Sequence, residues 1–265
     1  MVTPHEFEQL KTIDLWLCGR WEGESSEETY RRTQLAMMTL QIICPSGGKN
    51  LFLTLDVMPG GYDNVGSRHR AEMHTTPHGR ITSVEQTGLR NFSNIYGGLV
   101  RAFNEKIVRL QNPVLLLEHG LQATNIYIRT LLWATGLDML FMAGGDDRKF
   151  STRASNFLGP ETLVFKPDSI MHRQPKYTVQ EVVPKVYALR NLIAHGSEIP
   201  KSPWRDECGF VDGHGRPINL GPFYYAQLIE QSALFLLCAA LRQIFADQLV
   251  NEVRTVSAWR KRLKC

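Results

Sequence analysis

The sequence predicts an α+β protein: a small β-rich or mixed N-terminal region over residues 1–92, then an all-α helical bundle over residues 93–265. Three observations carry this. Short apolar runs broken by turn residues fill roughly the first ninety positions. Apolar residues at helical spacing, bounded by Gly and Pro, fill the remainder. The 265 residues, 43% apolar and 21% charged, suffice for one large globular domain or two small ones.

In the N-terminal region, "LAMMTLQIICP" and "NLFLTLDVMPG" are apolar runs rich in Leu, Ile and Thr, with "PSGGKN" between them. That pattern predicts strand, turn and strand. "GGYDNVGSRHRAEMHTTPHGR" is polar and rich in Gly and His, and reads as a loop or short edge strand. "RITSVEQTG" reads as a further strand.

The character changes near Phe92. "NIYGGLVRAFNEKIVRLQ" has helical spacing and is expected to end before Pro113, where "PVLLLEHGLQAT" begins a second helix with proline in its first turn. "NIYIRTLLWATGLDMLFMAGG" predicts a long amphipathic helix stopped by Gly144 and Gly145. "RKFSTRASNFLG" predicts a shorter one. In "TVQEVVPKVYALRNLIAHG", Thr178 and Glu181 form a capping-box pattern, and Pro184 marks a first turn or a kink. After a Gly- and Pro-rich loop, the last helix runs from about Phe223 to beyond Asp247.

Net charge is +4, which permits phosphate contact without demanding it. The C-terminus is locally more basic, with Arg254, Arg260, Lys261, Arg262 and Lys264. Its plainest reading is a solvated terminal helix. The five cysteines include no CxxC pair, which argues against a zinc site or disulfide framework and for a reducing compartment. The N-terminus lacks a secretory pattern. The apolar stretch around residues 224–250 is interrupted by Gln227, Glu230, Gln231 and Arg242, which favours a buried helix over a membrane span. The expectation is a soluble cytoplasmic protein without membrane partners.

The chemistry concentrates in "KVYALRNLIAHGSEIP". On a helix, Val186, Leu189 and Ile193 form an apolar stripe, while Tyr187, Asn191 and His195 form a second one. Arg190 and His195 lie about 140° apart around the axis and roughly 7.5 Å apart along it. Arg190 must reach toward His195, or the two complement each other across a symmetric dimer. Gly196 is placed to end the helix in the left-handed conformation. An imidazole moves protons, and a guanidinium binds phosphate oxygens in a fork. Together they suit attack of an RNA 2′-OH on the adjacent phosphodiester, because RNA supplies its own nucleophile. The same pair equally suits ordinary packing.

"LRNLIAHG" resembles the Arg–x4-6–His motif of the HEPN superfamily, in the form RN-xxx-HG. "RTLLWATGLDMLF" resembles that family's preceding helix, and "FSTRASNFLG" the Arg-containing segment after it; the order is most similar to the Apea-like HEPN branch. The likeness covers roughly residues 95–250. It implies a helical domain that often dimerises and a metal-independent endoribonuclease leaving 2′,3′-cyclic phosphate and 5′-OH ends. It also implies roles in antiviral defence, as a toxin, or in stress response, with RNA and a protein partner or antitoxin as ligands and no cofactor. By motif position, Arg190 and His195 are the catalytic candidates, with Asn191, Asp138 and Tyr187 supporting. Asp138 stands where the family often has glutamate; it either holds Arg190 with a shorter reach or is merely structural. The alternative is a non-catalytic RNA- or nucleotide-binding or dimerisation module, a subunit of a larger defence complex.

Other signals are weaker. His69, His74 and His78, with Asp63 and Glu72, suggest a metal group or a polar surface loop. "SGGKN" lacks the spacing of a phosphate loop. Trp204, Arg205, His214 and Arg216 are candidate RNA contacts beyond the motif helix, and "FYY" at residues 223–225 reads as base stacking or as packing at a helix start.

Overall fold

A computed structural model describes residues 26–43, 54–57, 65–68, 91–164, 178–197 and 222–263. The chain divides into two units, residues 1–37 with 46–83, and residues 38–45 with 84–265.

The expected β-rich N-terminal region is not seen among the described residues. Among its described residues the largest element is a helix, α1 (Ser26–Ile43). "LAMMTLQII", read as a strand, is the second half of that helix. Its buried positions Leu35, Met38, Thr39 and Ile42 follow a 3.6-residue period. Upstream, Glu28 pairs with Arg31 at 2.9 Å and Arg32 at 3.1 Å, one turn away. The mostly apolar run hid this periodicity, and run length alone does not separate a strand from a buried helix. The described β structure is one antiparallel pair, β1 (Thr54–Val57) and β2 (Val65–Arg68), with Thr54 opposite Arg68 and Val57 opposite Val65. The expected strand at residues 80–88 and the His69, His74 and His78 group lie outside the described residues.

The second unit is helical: α2 (Phe92–Asn104), α3 (Val108–Gln122), α4 (Ile126–Phe141), α5 (Asp147–Leu158), α6 (Val179–Ala194), α7 (Pro222–Ala246), α8 (Val250–Arg254) and α9 (Val256–Leu263). α4 is its hub, packing on α3, α5, α6 and α7. It was expected to be amphipathic. Instead Trp133, Ala134, Leu137, Leu140 and Phe141 are fully buried, and so is the side of the helix carrying Arg129 and Thr130. A helix covered on most sides has no polar face to show. α3 reaches α4 closely because Gly120 has no side chain; a Cβ there would collide with the Trp133 indole. That indole donates to the Leu117 carbonyl at 3.2 Å.

Three helix boundaries differ from expectation. α2 ends at Asn104 rather than before Pro113, which sits buried inside α3. The stop comes from Lys106, held at φ 52°. α4 ends at Phe141, where Met142 takes φ 53°, before the glycine pair. The last long helix breaks after Ala246, where Gln248 takes φ 57°, and α8 and α9 follow. α7 includes a segment, Ala226–Ala246, long and apolar enough to cross a membrane by composition, yet 72% of that window is buried within the helical body. Cys238 on α7 is fully buried, and burial pushes its thiol up to about 12, so it stays protonated.

Candidate functional site

The candidate site is built at the end of α6. Thr178 begins this helix with its side chain accepting from the Glu181 amide, while the Glu181 carboxylate accepts from the Thr178 amide at 2.8 Å, so the capping box is formed. Pro184 lies inside the helix on its exposed side, where water can satisfy the backbone carbonyl that loses its partner. At the other end, the Ser197 amide donates to Leu192 at 2.9 Å and the Gly196 amide to Ile193 at 3.1 Å, with Gly196 at φ 62°. This is a complete Schellman stop with His195 as the C-cap residue.

Along this helix the second stripe climbs out of the body. Tyr187 is 2% exposed, Asn191 is half-buried and His195 is exposed. Tyr187 packs on Phe150 of α5, with ring centroids 4.8 Å apart. The hydroxyl of Tyr187 is buried without a hydrogen-bond partner. Burial foremost, and next the nearby Asp138 charge, push the phenol above its ordinary range against the opposing pull of Arg190. It is a neutral phenol at the pH of the cell.

Arg190 is held from three sides. Its Nη1 donates to Asn191 Oδ1 at 2.9 Å. Its Nη2 lies 3.7 Å from Asp138 Oδ2, an ion pair too long to be a good hydrogen bond. Its guanidinium carbon stands 5.6 Å from the centroid of the Tyr187 ring. Its Nε is buried and unpartnered. Asp138 is not devoted to Arg190: its Oδ1 accepts the Gly144 amide at 3.1 Å and so fastens the turn after α4. The Arg190 side chain is 22% exposed. No hydrogen bond or ion pair joins Arg190 to His195 among the described residues, and the imidazole has no partner there.

The structure therefore brings Arg190, Asn191, Asp138 and Tyr187 together and leaves His195 apart from them at the helix end. Trp204, Arg205, His214 and Arg216 lie outside the described residues. Two contributors were not anticipated. Phe150 supports the Tyr187 ring; its place on the buried side of α5 is the only signal a sequence offers. Arg153, in the segment that resembles the family's Arg-containing block, donates to the carbonyls of Phe141 at 3.1 Å and Met142 at 2.8 Å, closing the end of α4. No group of three or more His, Cys, Asp and Glu capable of holding a metal occurs among the described residues. A shallow pocket lies elsewhere, lined by Asn156, Phe157, Gln243, Arg262 and Leu263.

What the geometry defines is a helical body with a restrained guanidinium in the last turns of one helix and, at its end, an exposed imidazole without a partner among the described residues. Compared with family models, with curated proteins and with solved structures, the chain matches none.

Proposed function

We propose that this chain is a HEPN-type endoribonuclease that cleaves RNA without a metal. The observation that supports the reading best is the end of α6. A guanidinium is oriented by a carboxylate, an amide and an aromatic ring, and an exposed imidazole with no partner among the described residues follows at the C-cap. In the reaction, the ribose 2′-oxygen bonds to phosphorus and the bond from phosphorus to the 5′-oxygen breaks. The 2′-OH proton leaves and the 5′-oxygen gains one, with His195 carrying a proton in one of these transfers. Arg190 stabilises the extra negative charge on the crowded phosphorane. The products carry a 2′,3′-cyclic phosphate and a 5′-OH. The setting we assign is cytoplasmic antiviral defence, toxin action or stress response.

Purified protein with single-stranded RNA in EDTA should yield fragments with cyclic-phosphate ends. His195→Ala should cut at least about 100-fold more slowly, the lower bound for losing a general acid or base, with RNA affinity retained within a few fold. Cleavage only with added magnesium counts against the reading. A rival reading draws on the contacts of Arg190 with Asp138, Asn191 and Tyr187: the arginine is a tether, and the chain is a non-catalytic RNA-binding or dimerisation subunit. An intact RNA substrate, together with a lowered melting temperature for Arg190→Ala, would favour that rival.

A further inference from the structure

We infer that α9 and the pocket it shares with α5 and α7 form a second contact site for single-stranded RNA, one that grips backbone phosphate away from Arg190 and His195. The inference deepens the proposed function and rests on RNA being the ligand.

The neighbouring arginines of the helical body are engaged. Arg254 pairs with Glu105 at 2.9 Å, and Arg101 with Glu105 at 2.7 Å and with Asn251 at 2.6 Å. Arg109 donates to the Val253 carbonyl at 2.7 Å. Arg260, Lys261 and Arg262 differ. They stand exposed and fan across the solvent side of α9, Arg260 and Arg262 about 160° apart around the axis. Of the three only Arg262 borders the pocket, so a strand must cross the helix to meet all of them. No side-chain hydrogen bond or ion pair engages them among the described residues. Their helix is firmly seated all the same. Trp259 is fully buried, its indole donates to the Leu140 carbonyl at 2.6 Å, and its ring meets Phe157 edge-on at 5.4 Å. Leu263, one turn on, is buried too. Unpaired cations on a fixed helix keep their charge for a partner at no cost in broken bridges.

The adjoining pocket tells what that partner is. Among the described residues its lining has no carboxylate: it offers the Arg262 guanidinium, the two carboxamides of Asn156 and Gln243, and the side chains of Phe157 and Leu263. A guanidinium fork takes phosphate oxygens. Carboxamides both donate and accept, which suits a base edge. An acidic peptide or a lipid headgroup would use the charge but has no need of the recess. α5 links this site to the candidate active centre, since its Phe150 touches Tyr187 while its Phe157 touches Trp259. Those two positions are about 10 Å apart along the helix axis.

The test compares the full chain with Arg260→Gln/Arg262→Gln and with Arg260→Lys/Arg262→Lys, each in a His195→Ala background so that RNA stays intact. The ligand is a 12-nucleotide single-stranded RNA, measured at several salt concentrations. The glutamine pair should bind about tenfold more weakly, and its log K against log salt slope should flatten by roughly 1.4, near 0.7 per lost phosphate contact. The lysine pair should recover most of the affinity, and melting temperatures should match throughout. Equal affinity and slope for the glutamine pair overturn the inference. So does loss of binding to phosphatidylserine vesicles with RNA binding unchanged, which would assign the patch to a membrane. Absence of cleavage by the wild-type chain bears on the proposed function alone, because these readouts need binding only.

Discussion

Arg129 and Glu230 are 6% and 5% exposed, one on α4 and one on α7, with 2.6 Å between Nε and Oε1. Glu230 carries a carboxyl raised above its ordinary value, because burial disfavours the anion more than the charge and hydrogen bond of Arg129 favour it. A raised acid holds its proton more tightly folded than unfolded. Stability therefore declines as pH rises from the ordinary value of 4.5 through the folded one, and levels off above it. Glu28, Glu105 and Asp146 run the other way, lowered by hydrogen bonds from Arg or Lys, and they cost stability only as pH falls through the acid range. Replacing both buried partners, Arg129→Met with Glu230→Leu, should leave stability near wild type and abolish the decline above that value. Glu230→Leu alone strands a buried guanidinium and should cost about 3–5 kcal/mol. Urea unfolding at pH 5 and pH 8 measures both; an unaltered decline in the double variant counts against this account. In the sequence Glu230 is legible only as a polar interruption of an apolar stretch, since its partner lies 101 residues away. The Arg190 site is more legible because Tyr187 and Asn191 lie within one turn of it. The unpartnered Tyr187 hydroxyl is not, because burial depends on α5 and α4.

Helix stops explain which boundaries could be read and which could not. Three of them share one geometry. After α6 the left-handed residue is Gly196, and glycine announces itself in a sequence. After α2 and α7 the same bonds recur. Ile107 donates to Ala102 at 2.9 Å and Lys106 to Phe103 at 3.3 Å; Leu249 donates to Ile244 at 2.8 Å and Gln248 to Phe245 at 3.3 Å. The left-handed positions there are Lys106 and Gln248, which no propensity rule singles out. Ile107 and Leu249 are both 6% exposed, and they supply the apolar contact that makes these stops hold. A side chain in that conformation costs roughly 1–2 kcal/mol, less what glycine loses through a freer unfolded chain. Lys106→Gly and Gln248→Gly should each stabilise by about 0.5–1 kcal/mol, whereas Gly196→Ala should destabilise by about 1 kcal/mol. Thermal unfolding of the three variants checks the signs; destabilisation by both glycines would mean the stops are not strained. The N-terminal helix shows the converse problem. In α1 the buried stripe passes through Thr39 and lies within a mostly apolar run, so the local signal fits a strand as well as a helix.

At the scale of the whole molecule, the proposed nuclease has to let a guanidinium and an imidazole on one helix serve one phosphate. Asp138 draws Arg190 toward α4, and Asn191 and Tyr187 hold it there. His195 leaves the body at the helix end, roughly 7.5 Å further along and about 140° around the axis. Within one chain, the phosphate would have to span that offset while Arg190 stayed tethered. Two chains related by a two-fold axis remove the difficulty, because Arg190 of one chain can face His195 of the partner subunit. Composition and net charge are silent on this, and so is motif spacing, since both arrangements need the same residues at the same positions. Mixing separates them. Arg190→Ala and His195→Ala proteins, each inactive alone, are combined after dissociation and reassociation. Random pairing gives half heterodimers, and each of these holds one intact composite site, so RNA cleavage should return to about a quarter of wild type. If each chain instead carries its complete site, no partner can repair the other, and the mixture stays as inactive as its parts.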